Sequence, residues 1–102
     1  MSMISEDAIK KYVQRRVTDL TACQKALEDK DAAVMENIGH KMKGNGLTFG
    51  YPELADIGRD MESAAVEKNW EVLAAKVSEF EHWLEDKKDL AAPDSPGPQP
   101  SL

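Results

Sequence analysis

Residues 31–50 read DAAVMENIGHKMKGNGLTFG, and the spacing of their apolar side chains decides the class of fold. Successive residues of a helix are rotated by about 100°, which places these side chains on one face, roughly opposite His40. The members of this face are Val34, Met35, Ile38, Met42, Asn45, Gly46 and Phe49. The pattern predicts an amphipathic helix from about Asp31 to Phe49, closed by Gly50, with its apolar face toward a core and His40 toward solvent.

Three further amphipathic helices flank this one. Apolar positions three and four apart run from about Ser5 to Asp29, and Ser5 can cap the first turn. Pro52 suits the first turn of a helix that extends to about Glu67, and Asn69 is a good cap for a fourth. The predicted core positions are Ile9, Tyr12 or Val13, Val17, Leu20, Cys23 and Leu27 in the first helix, Tyr51, Leu54, Gly58, Met61 and Ala65 in the third, and Trp70, Leu73, Val77, Phe80 and Leu84 in the fourth, with Trp83 partly exposed at the edge of its stripe.

Connections of roughly two to four residues join the predicted helices. Links this short force each helix to pack antiparallel to the next. The predicted fold class is therefore all-α, an antiparallel up-down-up-down four-helix bundle over residues 1–90. From residue 91 the composition changes to AAPDSPGPQPSL, whose four prolines break helices, so we predict a disordered Pro-rich tail over 91–102, or a linker if the chain is part of a longer protein.

The charge balance argues against several classes of function. Thirteen Lys and Arg against nineteen Asp and Glu give a net charge of −6, without a basic run that would mark a nucleic-acid or anionic-membrane site. No segment approaches the roughly 18 apolar residues of a membrane span, and the N-terminus lacks a basic region followed by an apolar run. Cys23, the only cysteine, cannot form an internal disulfide and is predicted to lie in the core. We therefore expect a cytoplasmic protein that binds neither nucleic acid nor membrane.

The surface around His40 combines charge with bare backbone. Within about 60° of it on the helix lie Ala33, Glu36, Asn37, Lys43, Gly44 and Leu47. A glycine inside a helix costs about 1 kcal/mol relative to alanine, and for Gly46 the close approach of a neighbouring helix supplies a reason. Gly44 lies beside His40 instead, where it would clear space for another molecule, while Lys43 supplies positive charge for an anion. The simplest joint interpretation is an accessible nucleophile with an anion-stabilising neighbour.

Residues 40–50, HKMKGNGLTFG, closely resemble the signature of the histidine-containing phosphotransfer (HPt) family: histidine, an apolar residue two positions on, Lys-Gly, small residues, an apolar residue and glycine. A looser likeness covers roughly residues 10–88. Asn45 departs from the family, which more often has serine or alanine there, and its amide needs a hydrogen-bond partner near the bundle interior. The resemblance implies that His40 accepts a phosphoryl group from a receiver-domain aspartyl phosphate and passes it to, or takes it back from, another receiver aspartate.

The same resemblance implies roles for the neighbours of this histidine. Lys43 would stabilise the phosphoryl group, and Gly44 would give access to the imidazole. The residues expected to help dock the partner are Glu36, Asn37, Lys41, Leu47 and Thr48. Transfer also requires Mg²⁺ and a carboxylate cluster, and this helix face lacks three convergent acids, so we expect the chain to bind no cofactor and the Mg²⁺ to lie on the receiver. The expected partners are response-regulator receiver domains and, as a further candidate, a hybrid histidine kinase, with the chain itself a monomer.

Three other classes of protein share parts of this pattern. The main alternative is a degenerate HPt-like bundle that binds a signalling partner without being phosphorylated, and the joint presence of His40, Lys43 and Gly44 argues against it. A carboxylate-bridged metal centre would need two Glu-x-x-His motifs, whereas only Glu79 and His82 have that spacing. A histidine kinase would need a nucleotide-binding domain, so we expect a phosphotransfer intermediate without autokinase activity and not an enzyme.

Overall fold

A computed structural model describes residues 5–87, and this part of the chain forms four α-helices. They are α1 Glu6–Asp29, α2 Ala32–Thr48, α3 Pro52–Val66 and α4 Trp70–Asp86. The helices form a ring in which α1 and α3 each pack against both α2 and α4. The connections are two or three residues long, a length consistent with antiparallel packing of neighbouring helices. The predicted all-α four-helix bundle is confirmed, while the predicted tail over 91–102 lies outside the described residues.

Capping residues set the helix boundaries. Three N-caps accept a hydrogen bond from the backbone N–H three residues further on, namely Ser5 at 3.0 Å, Asp31 at 3.2 Å and Asn69 at 3.2 Å. Each bond satisfies an amide that has no partner inside its helix. Pro52 occupies the first position of α3, and Gly50, with φ of +83°, reverses the chain after α2. The predicted caps Ser5 and Asn69 are therefore confirmed.

The core runs along the bundle axis and draws on all four helices. Its largest fully buried side chains are Val13, Cys23, Met35, Met42, Leu54, Met61, Leu73 and Phe80. Burial raises the pKa of the Cys23 thiol to about 12, so this sulfur stays protonated and behaves as a small apolar residue. None of the helices in residues 5–87 is both long and apolar enough to cross a bilayer.

A stack of aromatic rings fastens α1 to the end of α2. The rings of Tyr12 and Phe49 lie 4.2 Å apart between centroids and nearly parallel, and Tyr51 continues the stack. The Tyr12 hydroxyl donates a hydrogen bond of 2.6 Å to Asn45 Oδ1. The partner that the half-buried amide of Asn45 required is therefore a tyrosine on the neighbouring helix.

Two of the predicted core assignments are wrong. Val17 is 47% exposed, and Arg16 is buried in its stead, with its guanidinium carbon 4.6 Å from the centre of the Tyr12 ring. An arginine that stacks on an aromatic ring can cover apolar surface. Here Arg16 covers the surface that hydrophobic periodicity assigns to Val17. Trp83 is buried, not partly exposed, because its ring packs edge-on against Tyr51 and its indole N–H donates to a Glu53 carboxylate oxygen at 3.3 Å.

The close approach of α2 to α3 depends on three glycines. A Cβ added at Gly39 or Gly46 would lie 2.7 Å from backbone atoms of α3, and one added at Gly58 would lie 2.7 Å from backbone atoms of α2. Real side chains do not occupy such positions, so any residue larger than glycine would push the helices apart. The inward packing predicted for Gly46 is confirmed. A Cβ at Gly44, in contrast, meets nothing within 4 Å.

This contrast predicts opposite stability effects for the same substitution at two positions of α2. Gly39→Ala should destabilise the protein by about 1–3 kcal/mol, because the added methyl forces α2 and α3 apart. Gly44→Ala should stabilise it by about 0.5–1 kcal/mol, because only the helix propensity changes. Urea unfolding followed by circular dichroism measures both. A Gly39→Ala protein as stable as wild type would show that the two helices are not in backbone contact.

Candidate functional site

His40 lies on the exposed ridge of α2, and 66% of its side chain is open to solvent. Its own helix anchors it there, since Ile38 and Met42 on the opposite side are buried in the core. The predicted outward orientation of the imidazole is confirmed. A change at His40 therefore leaves the packing of the core untouched.

Glu62 of α3 joins His40 to Lys43. One carboxylate oxygen, Oε2, lies 2.9 Å from His40 Nδ1, and the other, Oε1, lies 2.9 Å from Lys43 Nζ. This carboxylate reaches both partners because Gly39 and Gly58 bring the two helix backbones together one turn away. The glycine contacts thus determine what faces the imidazole.

The contact with Glu62 settles which ring nitrogen carries the proton of neutral His40. A carboxylate only accepts hydrogen bonds, so Nδ1 must be the donor at 2.9 Å. In the neutral ring the other nitrogen, Nε2, then holds the free electron pair. The geometry leaves Nε2 as the nucleophilic atom.

The two hydrogen-bond donors beside Glu62 keep its carboxylate ionised. The hydrogen bond from Lys43, followed by the one from His40, lowers the pKa of the Glu62 carboxyl below its ordinary value of 4.5. A lowered pKa in the folded state means that the stabilisation from these contacts is fully present above pH 4.5 and is lost as the pH falls through the folded pKa. Near neutral pH the carboxylate is therefore charged and able to hold both partners.

The predicted docking residues surround His40 on several sides. Ala33, Glu36 and Asn37 line a shallow concavity of about 410 Å³ that also contains His40 and Glu62. Leu47, two turns along the ridge, is 64% exposed, and the Thr48 hydroxyl donates to the Gly44 carbonyl oxygen at 3.2 Å. Lys41 is exposed and lies on the side of α2 that faces α1. Their role in docking stays a prediction.

Glu62 is the site residue that the sequence analysis did not identify. Its contact with His40 depends on the register between α2 and α3, which hydrophobic periodicity does not specify. The sequence did contain a signal, since Gly58 lies one helical turn before Glu62 on the face predicted to pack inward. A glycine at that position indicates that a neighbouring backbone comes close.

Glu79 and His82, which have the Glu-x-x-His spacing of a metal centre, are both exposed on α4. Glu79 forms an ion pair of 3.2 Å with Lys76. Within residues 5–87, no three His, Cys, Asp or Glu side chains converge in a way that could hold a metal ion.

A scan against protein-family models matches the Hpt domain over residues 7–91. This match covers most of the chain and includes every residue of the site, so the chain belongs to the Hpt domain family. Hpt domains are histidine phosphotransfer modules of two-component phosphorelays, and they interact with response-regulator receiver domains and with histidine kinases. Searches of curated proteins and of solved structures gave no significant match.

The tautomer of His40 can be tested directly. In ¹⁵N NMR spectra at pH 8, the ring of His40 should be protonated at Nδ1, and Glu62→Ala should produce a mixture of tautomers because the acceptor is lost. Glu62→Gln should restore part of the preference, since its amide oxygen can also accept. His82, exposed on α4, serves as an internal control. The same tautomer mixture in wild type and in Glu62→Ala would contradict the assignment of Nε2.

Proposed function

We propose that His40 is the phosphoacceptor of a two-component phosphorelay. It accepts a phosphoryl group from the aspartyl phosphate of one receiver domain and passes it to the aspartate of another, or back. The observation that carries this proposal is the hydrogen bond between Glu62 and Nδ1, which leaves the Nε2 electron pair on the exposed side of the ring. Neutral imidazole is a good nucleophile, and its phosphorylated form is reactive enough for onward transfer.

The forward step forms one bond and breaks one. The Nε2 electron pair attacks phosphorus, and the bond between phosphorus and the aspartyl oxygen breaks, with its electron pair leaving on the receiver carboxylate. The phosphorylated ring, which still carries the proton on Nδ1, gains a positive charge. The carboxylate of Glu62 lies 2.9 Å from Nδ1 and stabilises that charge. In the reverse or onward step the electron pair returns to Nε2, and no proton has to move.

Lys43 supplies positive charge for the phosphoryl oxygens. Its ammonium is held at 2.9 Å by Glu62, while 42% of the side chain remains exposed one turn from His40. From that position the long stem can swing toward a phosphoryl group on Nε2. We assign the Mg²⁺ that such transfer requires to the receiver domain, together with its carboxylate ligands.

Gly44 opens the approach to the imidazole. A Cβ at this position would have no protein atom within 4 Å, so the bundle itself gains nothing from the missing side chain. Gly44 leaves open space beside His40. Exposed Leu47, together with Glu36 and Asn37, forms the surface around that space that a partner would contact. An incoming receiver aspartyl phosphate needs such clearance to bring phosphorus in line with Nε2.

The proposal predicts a residue-specific label. Incubation with a panel of ³²P-labelled receiver domains and Mg²⁺ should transfer label to wild type and to the matched variant His82→Gln, but not to His40→Gln. The label should be acid-labile, as expected for a phosphoramidate, and ATP with Mg²⁺ alone should give none. Circular dichroism should show an intact bundle in both variants. A folded wild type that no receiver labels would indicate a bundle that binds its partner without phosphotransfer.

Two substitutions at Gly44 test its steric role. Gly44→Leu should reduce the rate of transfer from the receiver by at least about tenfold, because the branched side chain projects beside the imidazole where the partner must approach. Gly44→Ala gains similar helix propensity with a much smaller side chain and should lose less. Single-turnover transfer kinetics compare them. Normal transfer by Gly44→Leu would show that the partner does not need the space beside the imidazole that Gly44 leaves open.

A further inference from the structure

The N-terminal half of α1 has the opposite charge to the chain as a whole. Residues 8–16 read AIKKYVQRR, with four cations and no acid, in a protein of net charge −6. Three of these cations, Lys11, Arg15 and Arg16, line the space between α1 and α2. A local concentration of positive charge on an acidic protein calls for a physical account.

These side chains meet Lys41 in one groove, here called the cationic groove. Its wider part has a volume of about 770 Å³ and is lined by Arg15, Arg16, Thr18, Asp19, Lys41 and Asn45. A narrower part of about 350 Å³ continues toward Lys11 and shares Arg15, Arg16 and Asn45. The four cations therefore line two adjoining concavities that are open to solvent and that share Arg15, Arg16 and Asn45.

Little within the bundle neutralises this charge. Lys11, Arg15 and Lys41 are exposed, and none of them forms an ion pair with another residue of the described part of the chain. The groove contains one carboxylate, Asp19, whose Oδ2 lies 2.9 Å from Arg16 Nε. The groove thus carries an excess of positive charge.

Arg16 forms a fixed base for the groove. Only 8% of the residue is exposed, and its guanidinium stacks on Tyr12, which is itself held by the hydrogen bond to Asn45. Arg16 Nε is buried and forms an ion pair of 2.9 Å with Asp19 Oδ2. The stacking and the ion pair hold this guanidinium in place before a partner binds.

The cationic groove adjoins the phosphoacceptor on the side away from α3. Lys41 follows His40 directly and lies about 100° around α2 from it, whereas Lys43 and Glu62 lie on the other side. A protein that covers His40 and extends over α1 would therefore meet the groove. A protein that extends over α3 would not.

We propose that the cationic groove is a second docking contact for the receiver partner and binds carboxylate side chains on its surface. This inference rests on the proposed phosphotransfer function and adds the orientation of the partner, which lies across α1 and α2. Charge complementarity supports it, because the net charge of −6 repels an acidic surface from the chain as a whole, whereas the groove attracts it. The groove would thereby accelerate encounter and bring the aspartyl phosphate over His40.

Binding measurements separate docking from transfer. In a His40→Gln background, Arg15→Glu with Lys41→Glu should weaken affinity for the most active receiver of the labelling panel by about tenfold or more at low salt. The matched control combines Lys25→Glu and Lys68→Glu with His40→Gln, so that two exposed cations outside the groove are reversed and its net charge equals that of the groove variant. Lys25 is exposed on α1, about 15 Å along the helix from Arg15, and it forms a solvent-exposed ion pair with Asp29. Isothermal titration at 20 and 300 mM salt should show the difference shrinking as salt screens the charges.

Each outcome of these measurements is decisive. Loss of affinity confined to the groove variant supports the inference. Equal affinities for the groove variant and the control, alongside normal labelling of wild type, overturn it and leave the phosphotransfer function standing. Absence of both labelling and binding in wild type rejects the proposed function and the docking contact together.

Discussion

Backbone contact between α2 and α3 is the constraint on which the site depends. At Gly39, Gly46 and Gly58 the two helices come so close that a Cβ would lie 2.7 Å from the facing backbone. Each glycine costs helix stability, about 1 kcal/mol relative to alanine, which the close packing of the two helices has to offset. The contact also has a chemical result, because it brings Glu62 within 2.9 Å of both His40 and Lys43. Packing and chemistry thus share one cause.

The four sides of α2 serve different purposes. One side meets α3 and holds Glu62 against the imidazole, and another places Met35 and Met42 in the core. The exposed ridge carries His40 with open space at Gly44, and the side toward α1 contributes Lys41 to the cationic groove. Because the core side is packed and Glu62 pins the ring, the nucleophilic nitrogen is oriented before a partner arrives. Such preorganisation lowers the cost of reaching the transfer geometry.

Periodicity and capping chemistry predict most of this fold from sequence. Four helices, their caps at Ser5 and Asn69 and the outward direction of His40 all follow from local patterns. Predictions failed where the surroundings of a side chain depend on one specific neighbouring side chain, in its own helix or in another. Arg16 is buried in place of Val17 because Tyr12 offers it a ring, and Trp83 is covered because Tyr51 and Glu53 complete its environment. Glu62 was missed for the same reason, since helix register is a tertiary property.

The identity of the phosphorylated nitrogen tests the central claim most directly. Chain labelled with ¹⁵N at histidine, phosphorylated by a receiver and examined by ¹⁵N and ³¹P NMR, shows which ring nitrogen is bonded to phosphorus. The hydrogen bond from Nδ1 to Glu62 predicts phosphate on Nε2 of His40, with Nδ1 still protonated. Phosphate on Nδ1, or on His82, would contradict the account.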